Sequence, residues 1–209
     1  MKQSLDGKDK KVNPFRQATY LKGAAELVQL PLDVGIEVAF AGRSNAGKSS
    51  VLNVLCDQNA LARTSKTPGR TQLINLFTLD EERRLVDLPG YGFAKVSLEI
   101  KERWQETLSQ YLQHRECLKG LVVLMDIRHP MKDVDQQMLL WAAEVGLPCH
   151  VLLNKADKLK QGAAKNTLLK IKKQVSEIHS EFTVQNFSAL KRTGMDGLLQ
   201  KLFGWFEYE

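Results

Sequence analysis

Lys48 and Ser49 close the run Gly42-Arg43-Ser44-Asn45-Ala46-Gly47-Lys48-Ser49, which reads G-x-x-x-x-G-K-S. These residue types suit a phosphate chain. Gly42 and Gly47 let the backbone turn tightly and approach a ligand without a Cβ in the way. The loop amides and the first turn of a following helix then converge on anionic oxygens. Lys48 sets a full charge against β- and γ-phosphates, and the Ser49 hydroxyl is a Mg²⁺ ligand. Downstream, Asp87-Leu88-Pro89-Gly90 reads D-x-x-G. Its Asp could hold Mg²⁺ through water, and the Gly90 amide could reach a terminal phosphate.

A third group, Asn154-Lys155-Ala156-Asp157, reads N-K-x-D. A carboxylate at Asp157 accepts two hydrogen bonds from guanine N1–H and the N2 amino group. Adenine offers no such donor pair and would leave the carboxylate unpaired, a loss of about 1–3 kcal/mol or more. Asn154 could brace the loop and reach the base, and the Lys155 stem could cover the base face. After Phe187, Ser188-Ala189-Leu190-Lys191 offers a backbone amide for guanine O6. Asn154 and Asp157 thus disfavour an ATPase or kinase.

Each group needs an element to carry it. Ile36-Glu37-Val38-Ala39-Phe40 reads as a buried strand before the phosphate loop, and Ser50 through Leu55 as a helix after it. Leu61 through Gln72 is a long Thr-, Pro- and Gly-bearing loop of the kind that is usually functional or mobile. Leu73–Leu79 and Arg84–Leu88 flank Asp80-Glu81-Glu82 at hairpin distance, so they should pair antiparallel.

A helix is expected over 98–114, with Trp104, Leu108, Tyr111 and Leu112 on its core face. Leu121–Asp126 is a continuous apolar run, as in a central parallel strand. Asp133 with Gln136 reads as a helix start whose buried face is Val134, Met138, Trp141 and Ala142. His129 is a lone loop histidine, suited to a structural or partner contact rather than a metal. Strand 149–153 delivers the N-K-x-D group.

A helix over 163–178 follows, with Ala164, Leu168, Ile171, Val175 and Ile178 on one face. Lys165, Lys170, Lys172 and Lys173 lie mostly off it and join Lys158 and Lys160. Such a surface is ordinarily just solvated; the alternative is an RNA-facing patch. Strand 183–187 and a final helix opened by Thr193 and Asp196 complete the chain, with Leu198, Leu199, Leu202, Trp205 and Phe206 inward. Strands alternating with helices, with polar motifs at the strand ends, indicate a doubly wound α/β sheet with its ligand at the carboxyl edge.

Composition agrees. The 209 residues suit one domain, expected over 14–209 behind a frayed basic tail at 1–13. Hydrophobic residues make up 43% and charged residues 26%, the mix of a soluble globular protein. No apolar run approaches a membrane span and the first residues lack a signal peptide's apolar stretch, so no membrane partner is expected. Cys56, Cys117 and Cys149 are odd in number and widely spaced, which reads as buried thiols in a reducing cytosol. Tyr20, Leu21, Leu27 and Leu30 should pack at the domain edge. The net charge of +6 permits a nucleic-acid partner without requiring one.

The motifs in this order resemble the five boxes of a Ras-like GTPase. The wording Glu37 through Ser50, with Thr67-Pro68-Gly69-Arg70-Thr71-Gln72 and Asp87-Leu88-Pro89-Gly90-Tyr91-Gly92, resembles the EngB family within the TrmE-Era-EngA-EngB-septin-like group. The likeness runs over about residues 15 to 206. It implies a P-loop G domain with a six-stranded, mostly parallel sheet, one antiparallel strand and helices on both faces. It implies Mg²⁺-dependent hydrolysis of GTP to GDP in the cytoplasm by a monomer. The implied role is in large ribosomal subunit assembly, with the subunit or its rRNA as partner, and in normal cell division and septation.

Carried onto this chain, the resemblance places nucleotide contacts along Gly42 to Ser49 and along Gly69, Arg70, Thr71, Gln72 and Leu73. It places others at Asp87, Leu88, Pro89 and Gly90, at Asn154 to Asp157, and at Phe187, Ser188 and Ala189. Thr71 matches a switch threonine that binds Mg²⁺ beside Ser49, and Lys48, Thr71 and Gly90 are the catalytic set. Phe93 stands where the family often has Tyr. Tyr91 follows Gly90 where Ras-like proteins carry a water-orienting Gln; a phenol is unsuited to that work, which implies slow intrinsic turnover. Asn45 matches an Asn that helps bind K⁺ in related GTPases; the alternative is a residue that only braces the loop. A second function class is a nucleotide-gated interaction module of the division apparatus in which hydrolysis is incidental.

Overall fold

A computed structural model describes residues 13–62, 73–91 and 98–208. The tail up to residue 12, the Thr71 segment with Gly69, Arg70 and Gln72, and Phe93 lie outside the described residues.

The chain runs β1 (Thr19–Ala24), β2 (Ile36–Gly42), α1 (Lys48–Leu55), β3 (Ile74–Thr78), β4 (Arg83–Asp87) and α2 (Leu98–His114). It continues through β5 (Leu118–Asp126), α3 (Asp133–Glu144), β6 (Cys149–Asn154), α4 (Gln161–Ile178), β7 (Thr183–Asn186) and α5 (Met195–Trp205). The sheet order is β1-β3-β4-β2-β5-β6-β7. Strands β4, β2, β5, β6 and β7 are mutually parallel, and β3 is antiparallel to both its neighbours.

The single antiparallel strand is as expected, but the sheet has seven strands, not six. The added strand is β1, which covers the outer edge of β3 and pairs backbone groups that would otherwise be open. Its side chains carry little of the burial. Leu21 is 45% exposed and Tyr20 57%, although the Tyr20 ring meets Phe77 edge-on at 5.9 Å between centroids; Leu27 and Leu30 pack on the core, so part of this stretch packs at the edge as expected.

The central strands are sandwiched. In β5, Leu121, Val123 and Met125 face α2, α3 and α4, where Leu108, Tyr111, Met138, Leu139, Ile171 and Val175 are buried. Val122 and Leu124 face the other way, toward α1 and α5 with Val51, Leu52, Leu55, Leu198 and Leu202. This period-2 division is why the run is apolar throughout. Each such buried side chain contributes roughly 1.5–3 kcal/mol.

Two helix starts differ from expectation. Helix α3 is boxed by Asp135, not Gln136: the Lys132 amide donates to Asp135 Oδ2 at 3.1 Å, while Gln136 Nε2 donates to the Met131 carbonyl. Helix α5 opens after Gly194, whose φ of 83° supplies the turn, rather than at Thr193. The three cysteines are buried free thiols, as expected; burial pushes Cys56 and Cys117 up to about 12 and Cys149 higher still.

The strands that carry the phosphate loop and the D-x-x-G turn are clamped together at their far end. Glu37 in β2 is fully buried. It accepts from Arg84 Nε at 2.9 Å, Arg115 NH2 at 2.7 Å, Arg115 Nε at 3.0 Å and the Tyr111 hydroxyl at 3.0 Å. Burial alone would raise its pKa, but the Arg115 and Arg84 guanidinium groups outweigh it and hold the carboxyl below its ordinary value. Removing the carboxylate would leave the buried Arg84 without its anionic partner and Arg115 with Asp33 alone. Glu37→Ala is expected to destabilise the fold by about 3–5 kcal/mol in urea titration.

Candidate nucleotide site

Strand β2 ends in the phosphate loop, and the loop ends in α1. Gly47 has φ 93°, and a Cβ there would come 2.4 Å from the Asn154 side-chain nitrogen. The position therefore admits only glycine on two counts, backbone conformation and space. From Lys48 onward the helix presents its free amides to the loop.

The D-x-x-G turn is set beside the loop by strand register. Asp87 lies opposite Phe40, and the Leu88 amide donates to the Phe40 carbonyl at 3.0 Å. The Asp87 carboxylate forms an ion pair with Lys48 Nζ. Past Gly90, the Ser44 amide donates to the Tyr91 carbonyl at 2.9 Å, and the Tyr91 amide to the Gly42 carbonyl at 3.3 Å. Tyr91, the residue after Gly90, is thereby attached twice to the phosphate loop.

Strand β6 brings the N-K-x-D group to the same edge. Asn154 is buried; its Nδ2 donates to the Ala46 carbonyl at 2.8 Å and its Oδ1 accepts from the Ala189 amide at 3.3 Å. It braces the loop as expected, using one N–H and one lone pair of the amide. Lys155 adopts φ 64° and donates from Nζ to the Asn45 carbonyl at 2.6 Å. The Ser188 hydroxyl donates to Asp157 Oδ1, and the Ala156 amide to the Phe187 carbonyl at 3.0 Å. Asp157, Ser188, Ala189 and the phosphate loop thus converge, though far apart in sequence.

Residues the motif reading passed over complete the site. Asp126, at the end of β5, lies in register with Asn154 and pairs with Lys155 Nζ at 3.0 Å. Arg128 grips it from Nε at 2.9 Å and NH2 at 2.6 Å; those bonds, with Lys155, hold the Asp126 carboxyl far below the ordinary range. An acid ending the apolar run one strand from Asn154 was the available signal. His129 contributes through its backbone, whose carbonyl accepts from Arg43 NH2 at 3.0 Å.

The donor set fits Mg²⁺. A hydroxyl at Ser49 and a carboxylate at Asp87 flank the phosphate-loop lysine, and hard oxygen donors supplemented by phosphate and water are what this ion takes. Among the described residues no group of three or more His, Cys, Asp or Glu side chains is placed to hold a metal.

The geometry defines a P-loop GTPase: a phosphate loop, a D-x-x-G turn and a guanine-type N-K-x-D group on one edge of a doubly wound sheet. Residues 37–155 match the family described as 50S ribosome-binding GTPase. The chain is 60% identical over 192 residues to the probable GTP-binding protein EngB of Vibrio parahaemolyticus serotype O3:K6 (strain RIMD 2210633), covering 92% of this chain and 88% of that one. It is 57% identical over 195 residues to the probable GTP-binding protein EngB of Idiomarina loihiensis (strain ATCC BAA-735 / DSM 15497 / L2-TR), covering 93% and 95%. In fold it resembles a crystal structure of a probable GTP-binding protein engB, with TM-score 0.66, 23% identity and coverage of 83% of this chain and 100% of that one. It also resembles Era in complex with MgGDPNP and nucleotides 1506-1542 of 16S ribosomal RNA, with TM-score 0.60, 23% identity and coverage of 82% and 57%.

The chain belongs to the EngB family of GTP-binding proteins and is a GTP hydrolase.

The loop bearing Ser188 and Ala189 rests on a buried histidine. His150 is 3% exposed; its Nδ1 meets the Thr183 hydroxyl at 2.7 Å and its Nε2 the Gln185 side-chain oxygen at 3.1 Å. Gln185 Nε2 in turn donates to the Gly194 carbonyl at 2.6 Å. Burial, partly offset by the Gln185 bond, lowers the imidazole to about 4 from 6.5. The fold therefore prefers neutral His150. Its contribution is complete above pH 6.5 and is lost as the pH falls toward 4. Unfolding free energy should drop by about 2 kcal/mol between pH 7.5 and 5.0, and a His150→Asn chain should show a flatter profile in denaturant titrations.

Proposed function

We propose that the protein is a Mg²⁺-dependent GTP switch acting in large ribosomal subunit assembly in the cytoplasm, with normal division and septation depending on it. The convergence of Asp157 with the phosphate loop carries the guanine-nucleotide part of this reading. The residues are used as the motifs indicate: loop amides and Lys48 hold the phosphates, Asp157 and the Ala189 amide the base, and Ser49 and Asp87 the ion. Bound there, Mg²⁺ neutralises charge developing on the phosphate oxygens. Thr71 is assigned the second direct protein ligand beside Ser49, with Asp87 acting through water. The segments around Thr71 and Gly90 order with GTP and release on hydrolysis, changing the ribosome-facing surface.

The partner assignment draws on the family's description and on charge. Lys158, Lys160, Lys165, Lys170, Lys172 and Lys173 are all exposed, at the start of and along α4. Among the described residues no helix is long and apolar enough to cross a membrane. The protein acts as a monomer, with residues 14–209 as one domain behind a basic tail. GTP-loaded protein should co-sediment with large ribosomal subunits more than GDP-loaded protein, and the association should weaken steeply with salt. Equal binding in both nucleotide states would favour the second reading, a nucleotide-gated module of the division apparatus.

Intrinsic turnover is slow in this proposal, because the Tyr91 hydroxyl is buried against Asp135 rather than turned to a water. Asn45, with φ 66°, sits at the loop's tip and is assigned to a K⁺ ion that supplies positive charge beside the phosphates. Hydrolysis should run faster in K⁺ than in Na⁺ at equal ionic strength, and Asn45→Ala should abolish the difference. Equal rates for the unaltered chain in the two salts would remove the ion from the mechanism.

A further inference from the structure

Asp135 in α3 is wholly buried, yet it is a carboxylate. Its Oδ1 accepts from the Tyr91 hydroxyl at 3.3 Å. Its Oδ2 accepts from the Lys132 amide at 3.1 Å and lies 3.3 Å from Nε of Arg43, in the phosphate loop. Capping a helix needs only the Lys132 contact, and an exposed acid would serve for it. The other two contacts join the residue after Gly90 to a residue of the phosphate loop.

Two further observations bear on this junction. The Tyr91 ring also packs against Trp104 of α2, with ring centroids 5.8 Å apart. The Arg43 Nε–H is buried and, although close to Asp135, is not aligned for a hydrogen bond. A buried donor left without an aligned acceptor is costly, so a small shift of the phosphate loop toward α3 would strengthen the contact. Burial also raises the Asp135 carboxyl above its ordinary value, although Arg43, Lys132 and Tyr91 act against this. The junction is therefore not fully satisfied as it stands.

We propose that Asp135 is a positioning residue for GTP hydrolysis: through Tyr91 and Arg43 it fixes the Gly90 backbone against the phosphate loop. The backbone bond between the Tyr91 amide and Gly42 is long, at 3.3 Å, and the side-chain relay supplements it. Closing the phosphate loop around a γ-phosphate aligns Arg43 with Asp135 and draws Tyr91 with it. Gly90 then presents its amide at a set distance from the terminal phosphate. GDP has no γ-phosphate for that amide to meet, so the relay contributes to the GTP state and to the reaction but not to GDP binding. Tyr91 acts by holding the turn, and no proton passes through it.

The test is single-turnover GTP hydrolysis and GDP binding by the full chain, for Tyr91→Phe, Asp135→Asn and the double variant. Each single variant is expected to slow hydrolysis about ten-fold while GDP affinity stays within about three-fold of the unaltered chain. The double variant is expected to be about as slow as the slower single one, because both act on one junction, Tyr91→Phe at Oδ1 and Asp135→Asn at the Oδ2 contacts to Lys132 and Arg43. Rates within about two-fold of the unaltered chain in Tyr91→Phe would overturn the proposal. A parallel loss of rate, GDP affinity and melting temperature would also overturn it, since that marks support of the fold alone. Should Asp135→Asn not fold, Tyr91→Phe decides, because it leaves the Lys132 cap intact.

Discussion

One side-chain amide sets the geometry of the site. Asn154 donates to Ala46 in the phosphate loop and accepts from Ala189. Three segments that are far apart along the chain therefore share a single buried group. The donor and the acceptor are both needed, and an ionised Asp could supply only the second. Gly47 must lack a side chain to leave room for this amide. The phosphate loop and the N-K-x-D loop are parts of one hydrogen-bonded unit.

The sheet makes that unit possible. Parallel strands β2, β4, β5 and β6 deliver their carboxyl ends to one edge, and register then decides which residues meet: Phe40 with Asp87, and Asp126 with Asn154. The opposite end is closed by Glu37 between Arg84 and Arg115, so the two strands that carry the phosphate machinery are pinned at both ends. Charge is buried at each end, and at each end it is paired.

Much of this was legible in the sequence, for reasons specific to each element. Helix α2 was read at its observed bounds, since Trp104, Leu108, Tyr111 and Leu112 mark one face over several turns. The β3–β4 hairpin was announced by Asp80, whose carboxylate does accept from the Glu82 and Arg83 amides. Strand β1 was missed because its side chains are mostly exposed and its worth lies in backbone pairing, which leaves no apolar pattern. The α3 cap was misread because Asp133, Asp135 and Gln136 are all plausible caps, and only the fold shows which one faces Lys132. The motifs themselves were plain; the side chains joining them, Asp126, Asp135 and His150, were not, because their partners lie on other strands and helices.

The buried thiols carry a consequence of a different kind. Cys56 lies just past α1, Cys117 just before β5 and Cys149 at the start of β6, and each thiol is both enclosed and held protonated. An alkylating reagent meets none of them until the surrounding structure opens. The three sulfurs thus serve as native clocks, each timing the opening of a different part of the molecule without any label being added.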